Sequence, residues 1–285
     1  MAINMERKFS NIVPLCVAGA ALVLGALSAS PALAGRNHKT HAASVDLGAA
    51  ATFGTFGGGA GITNQGVYTK IKGNIGTTAA ATMVTGFHDK TGHVYTQTPL
   101  NVGTVTGTIY TAPPAPGTSA SLKVAAHTAL DAQTAYKKLS PGLLPGGTDP
   151  FAGNLGGKTI YPGIYKSASG TFQITGSDVF LDAQGNPDAV WVFQSASSLT
   201  VGEPAAPRSI ILTNGAQAKN VFWQVGSAAT INGAGGGTMV GTIIAYSGIT
   251  FSTAGNAEVT TLNGRALALN ASVTMVNTVI NVPAP

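Results

Sequence analysis

A three-residue unit, apolar–threonine–apolar, recurs through the C-terminal half of the chain, each time after a longer apolar run. The triplets are Leu199-Thr200-Val201, Ala229-Thr230-Ile231, Ile249-Thr250-Phe251 and Val273-Thr274-Met275. The runs before them are 189–194, Asn220-Val221-Phe222-Trp223-Gln224-Val225, Gly241-Thr242-Ile243-Ile244-Ala245-Tyr246 and Gly264-Arg265-Ala266-Leu267-Ala268-Leu269. Two of the repeats also hold a third segment, Thr238-Met239-Val240 and Thr261-Leu262-Asn263. Three short strands per repeat, at a period of roughly 20 to 30 residues, are the signature of a solenoid coil.

Alternation along a strand assigns the faces. In each triplet the flanking apolar side chains point to the core and the threonine points out. Thr200, Thr230, Thr250 and Thr274 are therefore expected to stack in one column, which Thr63 of Ile62-Thr63-Asn64 extends from the N-terminal half. A second exposed face carries Thr238, Thr261 and Asn263, and outward Ile211 and Val240 make it less uniform. Threonine is also simply a good strand residue, so the repetition, and not any single position, carries the argument.

Strands that are apolar on both sides need a cover. Residues 118–139 contain neither glycine nor proline and place Leu122, Ala125, Ala126, Ala129, Ala132 and Tyr136 mostly on one helical face. Ser119 or Ser121 is the expected cap, Lys137-Lys138 suit the C-terminal end, and Pro141-Gly142 stop the helix. Its small-residue face fits the chain's own sheet better than a partner helix. The expected architecture is all-β dominated: a solenoid of triangular cross-section, one face hidden by a single long α-helix and two exposed. Residues 87–102 read as a polar loop or lid at one end.

The chain begins with Arg7 and Lys8, an apolar stretch over 12–27, and Ala32-Leu33-Ala34. That is the pattern of a secretory signal peptide over 1–34, and the apolar stretch is short for an uncleaved membrane anchor. A flexible tail over 35–44 and one solenoid domain over 45–285 would follow. Cleavage removes Cys16, the one cysteine, so the exported chain has no disulfide, no thiolate and no cysteine-bound metal. It keeps 13 basic and 9 acidic residues. Only 9% of the full chain is charged, against roughly 25% in an ordinary soluble protein. The cations are scattered, which excludes a nucleic-acid stripe. So charge-poor a surface suits a neutral, hydrogen-bonding partner.

Catalysis needs converging titratable groups, and the few acids are well separated. Asp182, Asp188 and Glu203 fall in or near turns. His38 and His41 lie in the tail and His127 on the exposed side of the helix. His88-Asp89 with His93 has metal-ligand chemistry, but a solvated loop explains it more simply. Gly57-Gly58-Gly59 and Gly235-Gly236-Gly237 lack the context of a phosphate loop. The expectation is no catalytic residues, no metal, no cofactor and no enzyme activity.

Several motifs together resemble the microbial ice-binding proteins. They are Val45-Asp46-Leu47-Gly48, Pro162-Gly163-Ile164-Tyr165, residues 181–190 (LDAQGNPDAV), Asn220-Val221-Phe222-Trp223-Gln224-Val225-Gly226 and Asn263-Gly264-Arg265-Ala266-Leu267-Ala268. The resemblance runs from about Val45 to Asn281. It implies a discontinuous right-handed β-solenoid with a helix along one face, and adsorption to an ice crystal through a flat face rich in Thr, Ser and Ala. The expected protein is secreted and monomeric, with no membrane or nucleic-acid partner. The alternative is a cell-surface structural or adhesive solenoid without ice activity.

Overall fold

The triplets form strands, and the order in which those strands stack defines the architecture. A computed structural model describes residues 44–252 and 258–284; the expected leader over 1–34 and nearly all of the 35–44 tail lie outside the described residues. One parallel sheet holds, in spatial order, Phe172–Ile174, Leu199–Val201, Ala229–Ile231, Ile249–Phe251, Val273–Met275, Ile62–Asn64 and Val84–Thr85. Val273–Met275 pairs with Ile62–Asn64, so the last coils of the chain stack on the first ones. The β-solenoid is discontinuous for that reason. After Ile109–Ala112 the chain must cross to the far end before coiling back. The helix Ser119–Leu139 makes the crossing: its 21 residues rise about 31 Å, and seven parallel strands span roughly 29 Å.

The sheet beneath the helix is buried on both sides, which explains its unbroken apolar runs. Trp191–Ser195 and Val221–Val225 are buried at every position. Inward side chains stack as an aromatic file, with Tyr165 5.4 Å from Phe193 and Phe193 4.0 Å from Trp223. Both buried indoles are satisfied, Trp191 Nε1 donating to Ile160 O and Trp223 Nε1 to Val240 O. On the outer side Val192, Phe222, Ile244, Leu267 and Phe56 pack with Ala125, Ala132, Ala135 and Leu139 of the helix. The cap differs from expectation: Thr118 is the N-cap, its Oγ1 accepting from the Ser121 N–H at 3.0 Å. Thr118 keeps an extended backbone, whereas Ser121 is inside the helix and its hydroxyl accepts from the Thr111 N–H. The buried stripe is also rotated, running through Thr128 and Ala135, with Leu122, Ala126, Ala129 and Tyr136 on its margins. Thr128 is tolerated there because its hydroxyl donates to Val124 O.

The remaining side of the triangle has two parts. One is a three-stranded sheet of Thr159–Ile160, Val179–Asp182 and Ile210–Thr213. The other contains the first halves of Thr238–Ala245 and Thr260–Ala268. These two strands are continuous, where the sequence suggests separate segments. They bend at Gly241, which has φ +99, beside Gly264, where a Cβ would lie 1.8 Å from the Gly241 carbonyl oxygen. Glycine is thus required by a bend within one strand and does not end it. The expected loop at 87–102 is a folded cap: Phe87–His88 pairs antiparallel with Val94–Tyr95. Phe87 and Tyr95 are buried in the inner core, so their burial orders a segment whose other residues are polar.

Candidate functional site

The five threonines expected in one column are in one column. Thr200 pairs with Thr230, Thr230 with Thr250, Thr250 with Thr274, and Thr274 with Thr63. The register continues to Thr85 at one end and Gln173 at the other, two positions the sequence reading missed. Six threonines in successive parallel strands make a row of about 24 Å at the usual inter-strand spacing. Thr230 is exposed and the other five are half-buried. Their neighbours Leu199, Val201, Ile249, Phe251, Val273 and Met275 are buried in the core. The core therefore fixes the backbone, and the backbone fixes the row.

Each triplet stops after three residues because the chain turns there. Gly202, Asn232 and Ser252 follow three of the triplets in the left-handed region, at φ +81, +45 and +43. Asn232 also clamps its corner, accepting from Arg208 N and donating to Arg208 O and Gly236 O. The ladder extends one residue upstream of the triplets, with Phe172 N donating to Ser198 O, Leu199 N to Ala228 O, Ala229 N to Gly248 O and Ile249 N to Ser272 O. Two residues before each member of the row, Gln173 included, and so on the same side of the sheet, lies a second file: Thr171, Ser198, Ala228, Gly248, Ser272, Gly61 and Met83. Every member but the terminal Met83 is no larger than threonine, so along the rest of the row none overtops the threonine methyls and hydroxyls. The surface is bounded at both ends. A cleft of about 380 Å³ lies beside Thr200 and Thr230, walled by Pro204, Ala205 and Ala234. The wall is held by Arg208 and Glu203, 2.8 Å apart. At the opposite end Met83 is exposed.

The second exposed face has no such uniformity. Thr238 and Thr261 pair as expected, but the register continues through Val279, Lys70 and Thr104 to His88. Asn263 accepts from Asn281 Nδ2 at 2.9 Å and pairs, through Asn281, with the strand carrying Lys72. Outward Phe180 and Ile211 sit on the three-stranded sheet. Val240, expected at the surface, is buried; the short turn Ala218–Asn220 packs near that strand, and Ala218 joins the same core.

The acids have structural work. Asp46, Asp89, Asp131, Asp149, Asp178, Asp182 and Glu203 each accept at least one backbone N–H. Burial pulls the Asp149 carboxyl upward, but N–H groups of Ala168, Gly153 and Phe151 outweigh it and hold it below the ordinary carboxylate value. Asp89 turns into its own loop to Thr91 and His93, whereas the His88 ring faces Gln97 and Thr104. Among the described residues no group of three or more His, Cys, Asp or Glu is placed to hold a metal, and no helix is long and apolar enough to cross a membrane.

Known proteins share this sequence pattern and fold. Residues 56–281 match the ice-binding-like family. An ice-binding protein of Nostoc sp. (strain HG1) is 39% identical over 230 residues, covering 80% of this chain and 71% of the relative. One from Colwellia sp. is 33% identical over 271 residues, covering 92% of this chain and 91% of the relative. The crystal structure of an ice-binding protein from the Antarctic ascomycete Antarctomyces psychrotrophicus superposes with a TM-score of 0.62 at 30% identity, covering 85% of this chain and 100% of that one.

Proposed function

The chain belongs to the ice-binding-like family, and we propose that it is a secreted protein that adsorbs to ice through its threonine face. Adsorption would depress the freezing point and inhibit recrystallisation. The observation that carries this reading is the unbroken register of Thr200, Thr230, Thr250, Thr274, Thr63 and Thr85 on an exposed parallel sheet.

The chemistry follows from that geometry. Threonine methyls at fixed spacing confine surface water, while hydroxyls anchor it in a crystal-like arrangement. Threonine is stiff at χ1, so the grid loses little side-chain entropy when it meets a rigid lattice. No charged side chain stands in either file, so no strongly hydrated group must be stripped of water. A molecule held on a growth front forces ice to advance as a curved surface between anchors, and curvature lowers the local freezing temperature. Export is supported by the leader-like segment at 1–34; the exported chain, without a disulfide, is held by its core and ladders. The protein acts as a monomer, without cofactor or catalysis.

The test is thermal hysteresis and crystal shaping by the purified protein. The wild type is expected to show both, and Thr230→Tyr and Thr250→Tyr are expected to lose most of each while staying folded. A folded wild type inactive in both assays would favour an adhesive solenoid; full activity in both variants would place the site on another face.

A further inference from the structure

Where the helix ends, the sheet beneath it changes character. One outward rung runs in register through Leu267, Ile244, Gln224, Gln194 and Lys166. Leu267 and Ile244 lie under the helix in the apolar layer; beyond it the same rung presents two amides and an ammonium. These three line a cleft of about 380 Å³ with Tyr136 of the helix and Tyr246 of the solenoid corner. The two tyrosine rings are 6.3 Å apart and inclined at 46°. Tyr246 is 53% exposed, so the core does not account for its ring.

The floor of the cleft is made of amides held in place. Gln194 is buried, and its Nε2 donates to Leu139 O and Leu144 O, closing the helix end. Its Oε1 has no hydrogen-bond partner within the protein and is enclosed against Gly147, so Gln194 fixes the floor and does not itself reach into the cleft. Gln224 is also buried and faces the Tyr136 hydroxyl. Two aromatic rings over amide groups, with one cation at the edge, are matched by few ligands. A phosphorylated ligand would want more positive charge. An extended peptide would want an open strand edge, and the strands of Gln194 and Gln224 are paired on both sides. A pyranose ring fits: its C–H faces lie on aromatic rings, and its hydroxyls both donate to and accept from amides. Tyrosine offers that contact at low entropic cost, and the cleft is at the small end of the usual range for ligand sites, about 300–1,000 Å³.

We propose that this cleft binds neutral pyranosides, with Tyr246 and Tyr136 stacking on the sugar and Gln224 and Lys166 meeting its hydroxyls above a floor that Gln194 holds in place. None of these residues belongs to the threonine column. The site would let a molecule with an ice-facing surface also be held by a glucan-type polysaccharide.

Saturation-transfer NMR and titration of the purified protein with cellohexaose, laminarihexaose and glucose test it. At least one hexaose should bind, Tyr246→Ala should weaken binding about tenfold, as loss of a stacked ring implies, and Tyr246→Phe should retain it. Binding of hexaose without glucose identifies a polymer as the source; equal binding of glucose identifies free sugar. Failure of all three probes with the wild type overturns the proposal. So does unchanged binding in Tyr246→Ala, whose half-exposed side chain can be removed without opening the core.

Discussion

Both exposed sides of the solenoid are made of short parallel strands that alternate a buried residue with an outward one, yet their outward columns differ. One reads Thr200, Thr230, Thr250, Thr274, Thr63, Thr85. The other reads Thr238, Thr261, Val279, Lys70, Thr104, His88, with Phe180 and Ile211 on the adjoining strands. Both rest on one core, and both are built from parallel ladders. The core thus demands apolar residues inward but leaves the outward column free to drift, as it does on the second side. Strand propensity alone would favour threonine equally on both. The proposed ice contact would account for six threonines without interruption on one side, and the neighbouring face is the internal control.

The largest expected effect removes the comparison by breaking what the two faces share. Trp223→Ala empties the end of the aromatic file deepest in the coil stack, beside Phe193 and Ile243, and should cost about 3–5 kcal/mol, measured by denaturant unfolding; both faces lose their support together. Next is position along the row. Thr250 lies inside the column and Thr85 at its edge, so Thr250→Tyr should lower hysteresis roughly tenfold and Thr85→Tyr far less, as central contacts dominate an interface. Equal losses would mean that the row does not act as one surface.

A smaller effect concerns acid. The Asp149 carboxyl is held below its ordinary value by three backbone N–H groups that outweigh burial. Its contribution is present above the unfolded carboxylate pKa and is lost as pH falls through the lower folded value. Melting temperature should drop below about pH 4, and Asp149→Asn should remove part of that dependence at a cost on the order of 1 kcal/mol. Smallest is the second file. Ala228→Ser adds a hydroxyl without height and should leave hysteresis nearly unchanged, while Ala228→Leu should reduce it by standing above the methyls of Thr230.

Much of this was legible in the residues. The triplet rule placed Thr200, Thr230, Thr250 and Thr274 because each is flanked by two core residues, so its register has one solution. Thr63 was visible although its triplet ends in Asn64, a buried amide that makes its own hydrogen bonds to Gly66 O and Gly86 O. Thr85 was not, because its strand is only Val84–Thr85 and is followed by Gly86. Gln173 keeps the apolar-x-apolar frame of Phe172–Ile174 but is not threonine. The helix was placed to within a residue, yet its cap required knowing that Thr118 stays extended. The bends at Gly241 and Gly264 looked like strand ends because sequence does not show two backbones in contact. The hairpin at 87–95 was hidden because its two buried rings, Phe87 and Tyr95, stand among polar residues.

The central claim is that one face, and not its neighbour, meets ice. The direct test is the thermal hysteresis of two matched double variants, Thr230→Tyr with Thr274→Tyr on the threonine face and Thr238→Tyr with Thr261→Tyr on the other. The first pair is expected to lose nearly all activity and the second to keep the wild-type value, with both variants folded. Retained activity in the first pair and loss in the second would contradict that claim.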